Sequence, residues 1–440
     1  MRIVAAALLA LLVSLSLPHA AAASSLPASD ATEIRAGVTL LTQTYYKQLD
    51  RALLASNARK ALLAYAHVHG APDAVLPPAP KIVSDTSLGD ALVKDVGATY
   101  AQTKLSDKTL TYVALAAMAK ASGDKYTQFF TPAQYKAFQG PLEPGKISGI
   151  GVIFGIDDAT KNAQVLYVVP DAPADKAGLT NGDEIVRVDD KPTAGLAMEA
   201  ISKLLRGPKG THVQLMLTRD GQPVSPVSIV RADVSSPTVF SKLLPNKIGY
   251  IYVSIFGGPT SDEFSAALGK LSALGAKGYV IDLRNNGGGY VNAAINISSH
   301  FVDSGPIVSV EEHGSHITTY DGVDGGTMVT GPVSVLVNHY TASASEITAA
   351  ALQESGVATL VGTRTYGKGV VQTMTPFPDG SAIKITTARY LTPHNHDINL
   401  IGIKPDLAVE ENANARFGEP DKDTQLRAAI DGLTKKLAQL

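Results

Sequence analysis

The spacing of apolar residues changes twice along this chain, near Gly140 and near Lys247, so no single architecture can hold all of it. Over residues 30 to about 137, apolar side chains recur every three and four positions, through Leu40, Leu41, Tyr45 and Leu49 and again through Leu110, Val113, Leu115 and Met118. That is the period of helices with one buried stripe. Pro72, Pro77, Pro78 and Pro80 interrupt it and predict a loop. After Gly140 come short β-type runs punctuated by glycine and proline, at residues 149–154, 163–169, 184–188 and 212–217, with a helical stretch at 198–205. From residue 247 to about 409, strand-like runs at 248–253, 278–283 and 333–337 alternate with helical ones at 261–274, 290–301 and 344–352. Such alternation predicts an α/β core with parallel pairing, in which ligands gather at the carboxyl ends of the strands. The expected organisation is therefore α+β and multidomain: a helical N-terminal domain over 24–140, a β module over 141–234, an α/β core over 235–410, and a tail over 411–440 carrying an amphipathic helix. No internal repeat is visible.

Residues 1–23 read as a secretory signal, with Arg2, an apolar run over 4–17 and the alanines Ala20 to Ala23. An uncleaved anchor is the alternative, although the run falls short of the ~20 residues that span a bilayer. No later segment reaches that length, so no transmembrane segment is expected in the mature chain, and its location is expected to be extracytoplasmic, periplasmic or secreted. The absence of cysteine excludes disulfides, a thiol nucleophile and a lipid-modified cysteine. A net charge of −2 without long lysine or arginine runs gives no footprint for nucleic acid or an anionic membrane. His67 and His69, two apart on a helix, would point to different sides, which favours surface histidines over a metal site. No metal or cofactor is expected.

Two segments of the core carry chemistry. Ser343 lies in Thr341-Ala-Ser-Ala-Ser-Glu346, just after a strand and at the start of a helix, where free N–H groups could face a developing oxyanion. Ser343 and Glu346 also spell a capping box, so simple helix capping remains open. Lys368 stands between Gly367 and Gly369; a lysine withdrawn from water has a lowered pKa and can serve as a general base, whereas an exposed one cannot. Twenty-five positions separate the two, so only the tertiary fold could join them. Gln372 could hydrogen-bond the lysine. The run Asp282-Leu-Arg-Asn-Asn-Gly-Gly-Gly289 ends a strand in three glycines, which present backbone N–H groups without obstruction. His339, four residues before Ser343, is poorly placed to act as a base, and His394 and His396 read as loop residues.

Ser148-Gly-Ile-Gly-Val152 and Ala172-Pro-Ala-Asp-Lys-Ala-Gly-Leu-Thr-Asn-Gly-Asp-Glu-Ile185 resemble the carboxylate-binding loop and the following helix and strand of a PDZ domain. In such a module Gly149, Ile150, Gly151 and Val152 would hold a peptide carboxyl end; a glycine bulge at a strand start is the plainer alternative. The motifs Gly123-Asp-Lys-Tyr-Thr127, Leu205-Arg-Gly-Pro-Lys-Gly-Thr211, the triple glycine, the Ser343 and Lys368 segments, and Asp397-Ile-Asn-Leu-Ile-Gly-Ile-Lys-Pro-Asp406 together resemble the carboxyl-terminal processing peptidases, the tail-specific protease family. The resemblance implies a crotonase-like protease core with Ser343 as nucleophile, Lys368 as general base and Gln372 orienting the lysine. It further implies Gly289 and Ala344 as oxyanion donors, Arg206 as a gating residue between the PDZ domain and the active site, and protein C-terminal segments as partners. Lys125 and Glu354 depart from the family pattern. An inert PDZ scaffold and an acyl-CoA enzyme are the competing readings; the intact Ser343, Lys368 and Gln372 argue against the first, and the lack of a nucleotide-binding element against the second. Oligomeric state is left open.

Overall fold

The computed structural model describes residues 26–439 apart from 104, 158, 315, 324–328, 330 and 413–417. The expected signal, residues 1–23, lies outside the described residues. The chain forms two units: one takes it up to Phe130 together with Met374–Pro378 and Ala382–Ile385, and the other takes the rest.

In the first unit, four helices follow the apolar stripes: α1 (Ala28–Thr44), α2 (Arg51–Val68), α3 (Asp85–Thr103) and α4 (Asp107–Lys120). The Asp50 carboxylate caps α2 by accepting from the N–H groups of Ala52 and Leu53, and the Ser106 hydroxyl starts α4 by accepting from Thr109. Ile34, Leu41, Leu62, Leu92 and Leu115, one or more from each helix, meet in one core. The proline-rich stretch between α2 and α3 forms neither helix nor strand over residues 74–83. Strand β1 (Gln128–Phe130) pairs antiparallel with Ala382, Ile383 and Lys384 and carries Phe129 into the same core.

The second unit opens on α5 (Pro132–Leu142), whose capping box joins Thr131 and Gln134. The β module then follows: β2 (Lys146–Gly149), β3 (Val152–Ile156), β4 (Ala163–Val168), α6 (Pro173–Lys176), β5 (Glu184–Val188), β6 (Lys191–Pro192), α7 (Met198–Leu205), β7 (His212–Arg219), β8 (Gln222–Val230) and β9 (Ala232–Ser235). Its sheet has the order β3-β4-β5-β7-β8, with β6 on β5. Burial alternates along β7, so that Val213, Leu215 and Leu217 face the core, as a period of two requires. Strands β2 and β9 pair with each other as a separate ribbon, through which the chain enters and leaves the module.

The remaining elements are β10 (Val239–Leu244), β11 (Ile248–Val253), α8 (Thr260–Ala273), β12 (Gly278–Asp282), α9 (Val291–Ser298), β13 (Pro306–Glu312), β14 (Ile317–Asp321), β15 (Val333–Val337), α10 (Ala344–Glu354), β16 (Ala358–Gly362), β17 (Val370–Pro376), β18 (Ala382–Leu391), β19 (Leu407–Ala408) and α11 (Thr424–Leu437). One sheet runs β10-β11-β12-β15-β16-β19, parallel throughout except for β10. Its central strands are buried on both faces, hence their mostly apolar runs without polar alternation. Ile251, Ile281 and Val335 face α8, α9 and α10, while Tyr250, Val280 and Leu336 face α11. The turns after β12 and β15 therefore lie side by side at the carboxyl edge of this sheet.

Candidate active site

Ser343 sits between β15 and α10 with φ 58° and ψ −121°, a backbone conformation that a residue with a side chain rarely adopts. Such strain persists only where the surroundings impose it. Here the N–H of Ser343 is held by a Glu346 carboxylate oxygen at 2.9 Å, and its carbonyl accepts from the N–H groups of Glu346 and Ile347 at 2.7 and 3.0 Å. Glu346 thus closes the carboxylate half of the capping box.

Glu346 does more than cap. It is fully buried, and the same oxygen that takes the Ser343 N–H also takes the Lys368 N–H at 2.8 Å. Its other oxygen accepts from the Gly367 N–H at 2.7 Å and the Thr365 hydroxyl at 2.6 Å. One carboxylate therefore brings together the two segments that the sequence leaves 25 positions apart, with the Ser343 and Lys368 nitrogens no farther apart than two hydrogen bonds in series. The glycines flanking Lys368 are explained by the turn leading into residues 399–402. A Cβ on Gly367 would lie 2.7 Å from the Gly402 nitrogen, and one on Gly369 would lie 2.7 Å from that of Asn399. Lys368 is half-buried.

Gln372 turns its amide nitrogen elsewhere. That nitrogen donates to the Val370 carbonyl at 3.3 Å and the Thr386 hydroxyl at 3.4 Å. Thr386 on the neighbouring strand β18 sets this direction, and only the amide oxygen is left to offer an amine.

The triple-glycine turn packs directly on Ser343. Gly288, at φ 97°, is so close that a Cβ there would lie 2.8 Å from both the Ser343 Cβ and the Ala344 nitrogen. Gly288 donates its N–H to the Asn286 side chain at 2.9 Å. Gly289 is bridged to Phe256 through its neighbours, with Phe256 N–H on the Gly288 carbonyl and Tyr290 N–H on the Phe256 carbonyl, which turns the Gly289 N–H the other way. Among the described residues, neither the Gly289 nor the Ala344 N–H has an acceptor. The two loops are locked together: Ala342 N–H and the Ser345 hydroxyl both donate to the Asn286 carbonyl, and the Thr341 hydroxyl donates to that of Leu283.

Arg284, at the head of the glycine turn, is buried between Asp282 and Asp423, bonding Asp423 at 2.7 and 3.1 Å and Gln425 at 3.1 Å. These carboxylates hold its guanidinium far above the ordinary range despite burial. Asp423 is also the N-cap of α11, so the C-terminal helix is pinned to the turn. The Ser-x-x-Glu pattern signals Glu346 only as a cap, and nothing local signals the part played by Arg284, whose partner lies 139 positions away. His339 meets Tyr340 edge-on and Tyr366 at a tilt, and His396 binds Glu354 at 2.9 Å. Among the described residues, no group of three or more His, Cys, Asp or Glu could hold a metal, and no helix is long and apolar enough to cross a membrane.

In the β module, Gly149, Ile150, Gly151 and Val152 line one side of a groove of about 480 Å³ whose other side is α7, from Met198 to Leu205. The carbonyls of Ile150 and Gly151 are tied back to the N–H groups of Ala174 and Val169 at 2.8 and 3.0 Å. Gly151 has φ 82°, and a Cβ on it would lie 2.3 Å from that of Ala172. Gly151→Ala is expected to cost ~1–3 kcal/mol in urea unfolding; an unchanged value would contradict this account of the loop. Arg206 is exposed at the rim of the groove, and its side chain makes no hydrogen bond or ion pair among the described residues. The arginine that satisfies the end of α7 is Arg231, which donates to the carbonyls of Leu204 and Leu205 at 2.8 and 3.1 Å.

Residues 247–409 match peptidase family S41, and residues 164–219 match the PDZ domain. A carboxyl-terminal-processing protease from Picosynechococcus sp. is 35% identical over 333 residues, covering 74% of this chain and 80% of that one. The carboxy-terminal processing protease CtpA of Bacillus subtilis is 35% identical over 361 residues, covering 80% and 76%. A solved structure described as a putative S41 protease from Bacteroides fragilis shares the fold, with a TM-score of 0.50 and 19% identity over 89% of this chain and 98% of that one. A PDZ module, an S41 core and 35% identity to these enzymes over the aligned residues, which span most of both lengths, make this chain a member of the carboxyl-terminal-processing proteases, the PDZ-bearing serine peptidases of family S41.

Proposed function

We propose that the chain is an extracytoplasmic endopeptidase that captures the C-terminal ends of protein substrates in its PDZ groove and cleaves them with a Ser343–Lys368 dyad. The observation that carries this reading is the shared Glu346 oxygen, which fixes the backbones of both residues around one point. Ser343 Oγ attacks the peptide carbonyl while Lys368 Nζ takes its proton. The Gly289 and Ala344 N–H groups face the oxyanion. Collapse of the tetrahedral species breaks the C–N bond, and Lys368 returns the proton to the leaving amine. Water, deprotonated by the same lysine, then attacks the acyl-enzyme and frees Ser343 and the carboxylic acid product. Gln372 supports the amine through its amide oxygen, and Arg206, at the groove rim, relays occupancy. The parallel sheet with donors at its carboxyl edge suits a crotonase-like core, and residues 1–23 act as the secretory signal.

The test compares an unfolded protein substrate with a free C-terminus and the same chain amidated at that end. Amidation removes the charge that loop N–H groups would hold, so kcat/KM is expected to fall by about tenfold or more, mostly through KM. Equal rates would contradict capture of the carboxylate.

A further inference from the structure

Tyr290 follows the triple glycine directly, and its hydroxyl donates to the Glu143 carboxylate at 2.8 Å. Glu143 ends α5 and stands three residues before β2, the strand that runs into the PDZ carboxylate loop. A second contact runs beside the first. The Gly258 N–H donates to the Leu142 carbonyl at 2.9 Å, two residues from Phe256, whose N–H and carbonyl bond Gly288 and Tyr290 at 3.0 and 2.7 Å. The close approach is built in: a Cβ on Gly257 would lie 2.4 Å from the Leu142 carbonyl oxygen, and one on Gly258 would lie 2.5 Å from the Glu143 carboxylate. Burial and the neighbouring Glu143 raise the Tyr290 phenol to about 12, so it stays a donor across any assay range.

We infer that Tyr290 is a positioning residue for the oxyanion donors, and that its bond to Glu143 ties their placement to the strand entering the PDZ groove. The inference rests on the proposed role of Ser343. Glu143 holds the Tyr290 ring, Tyr290 holds Gly289 through the shared peptide, and Gly288 touches Ser343 and Ala344. A loop freed at Tyr290 keeps its composition and loses its aim.

The test is kcat per active site, titrated with a serine-directed phosphonylating probe, on a short ester substrate that has no free carboxyl end. Tyr290→Phe is expected to lower kcat about tenfold through misplacement of a donor. KM, the pH dependence of kcat/KM and the thermal midpoint should stay at wild-type values. Glu143→Ala should match that loss, Glu143→Gln, which keeps an acceptor oxygen, should recover most of it, and the double variant Tyr290→Phe/Glu143→Ala should lose no more than either single one. Wild-type kcat per titrated site in Tyr290→Phe, a fall confined to the titratable fraction, or losses that multiply in the double variant would each overturn the inference. A wild-type enzyme with no titratable serine would remove the proposed role of Ser343 and this inference with it.

Discussion

Ser343→Ala and Lys368→Ala are each expected to lower kcat on an unfolded protein substrate by about 10⁴-fold or more, and the double variant by no more than either alone. Residues that act on one proton fail as a unit, because removing either leaves the other nothing to do. KM should change little, since the groove proposed to capture the substrate's C-terminal end contains neither residue. Ser343→Ala should also relieve nothing in the fold: the unusual φ at that position is imposed by Glu346 and by the carbonyl bonds to α10, which alanine retains. Lys368→Arg should fail nearly as badly as alanine, for a guanidinium does not give up its proton at any pH the protein survives. Substantial turnover in any of these variants would show that the dyad is not the machinery.

The second large effect belongs to Glu346. Its two oxygens satisfy three backbone N–H groups and one hydroxyl in a site closed to water. Glu346→Ala leaves four donors without their acceptor, those of Thr365 and Gly367 buried and those of Ser343 and Lys368 half-buried, at a cost of ~3–5 kcal/mol in denaturant unfolding. Glu346→Gln is the sharper probe. The amide is the same size, but its NH₂ group must face either the Ser343 and Lys368 N–H groups, turning two attractions into repulsions, or the Gly367 N–H and the Thr365 hydroxyl, where the N–H is repelled while the hydroxyl can turn to accept. A smaller loss of stability, ~1–3 kcal/mol, should then accompany a fall in kcat of about 10²-fold, because displacement of reacting groups by an ångström is enough for that. Full activity in a folded Glu346→Gln protein would show that the shared carboxylate is not what aligns the two segments for catalysis.

Much of this site is legible in the amino-acid sequence alone, and the parts that are not share a cause. The short apolar runs around residues 278–283 and 333–337, each reaching small residues a few positions later, place Ser343 and the triple glycine at one sheet edge, since parallel strands buried on both faces read that way. Ser343 followed three positions later by Glu346 announces a capped helix. What the sequence could not disclose was the second use of that carboxylate, on N–H groups 21 and 22 positions further along. Nor does a serine at a helix start announce a positive φ, since N-cap residues are ordinarily extended. The direction of the Gln372 amide depends on Thr386 across a strand pair, and the Arg284 network depends on Asp423 at the far end of the chain. Arg206 and Arg231 show the same limit. The first stands in the motif, while the second, 26 positions beyond Leu205 and between β8 and β9, satisfies the helix end.

Mass spectrometry of the enzyme quenched during turnover of a slowly deacylating ester tests most directly whether Ser343 becomes acylated because Lys368 removes its proton. One acyl group is expected on the peptide containing Ser343 in the wild-type protein, and none in Lys368→Ala. An acyl group on another residue, or its accumulation on Ser343 at an undiminished rate without the lysine, would contradict the dyad.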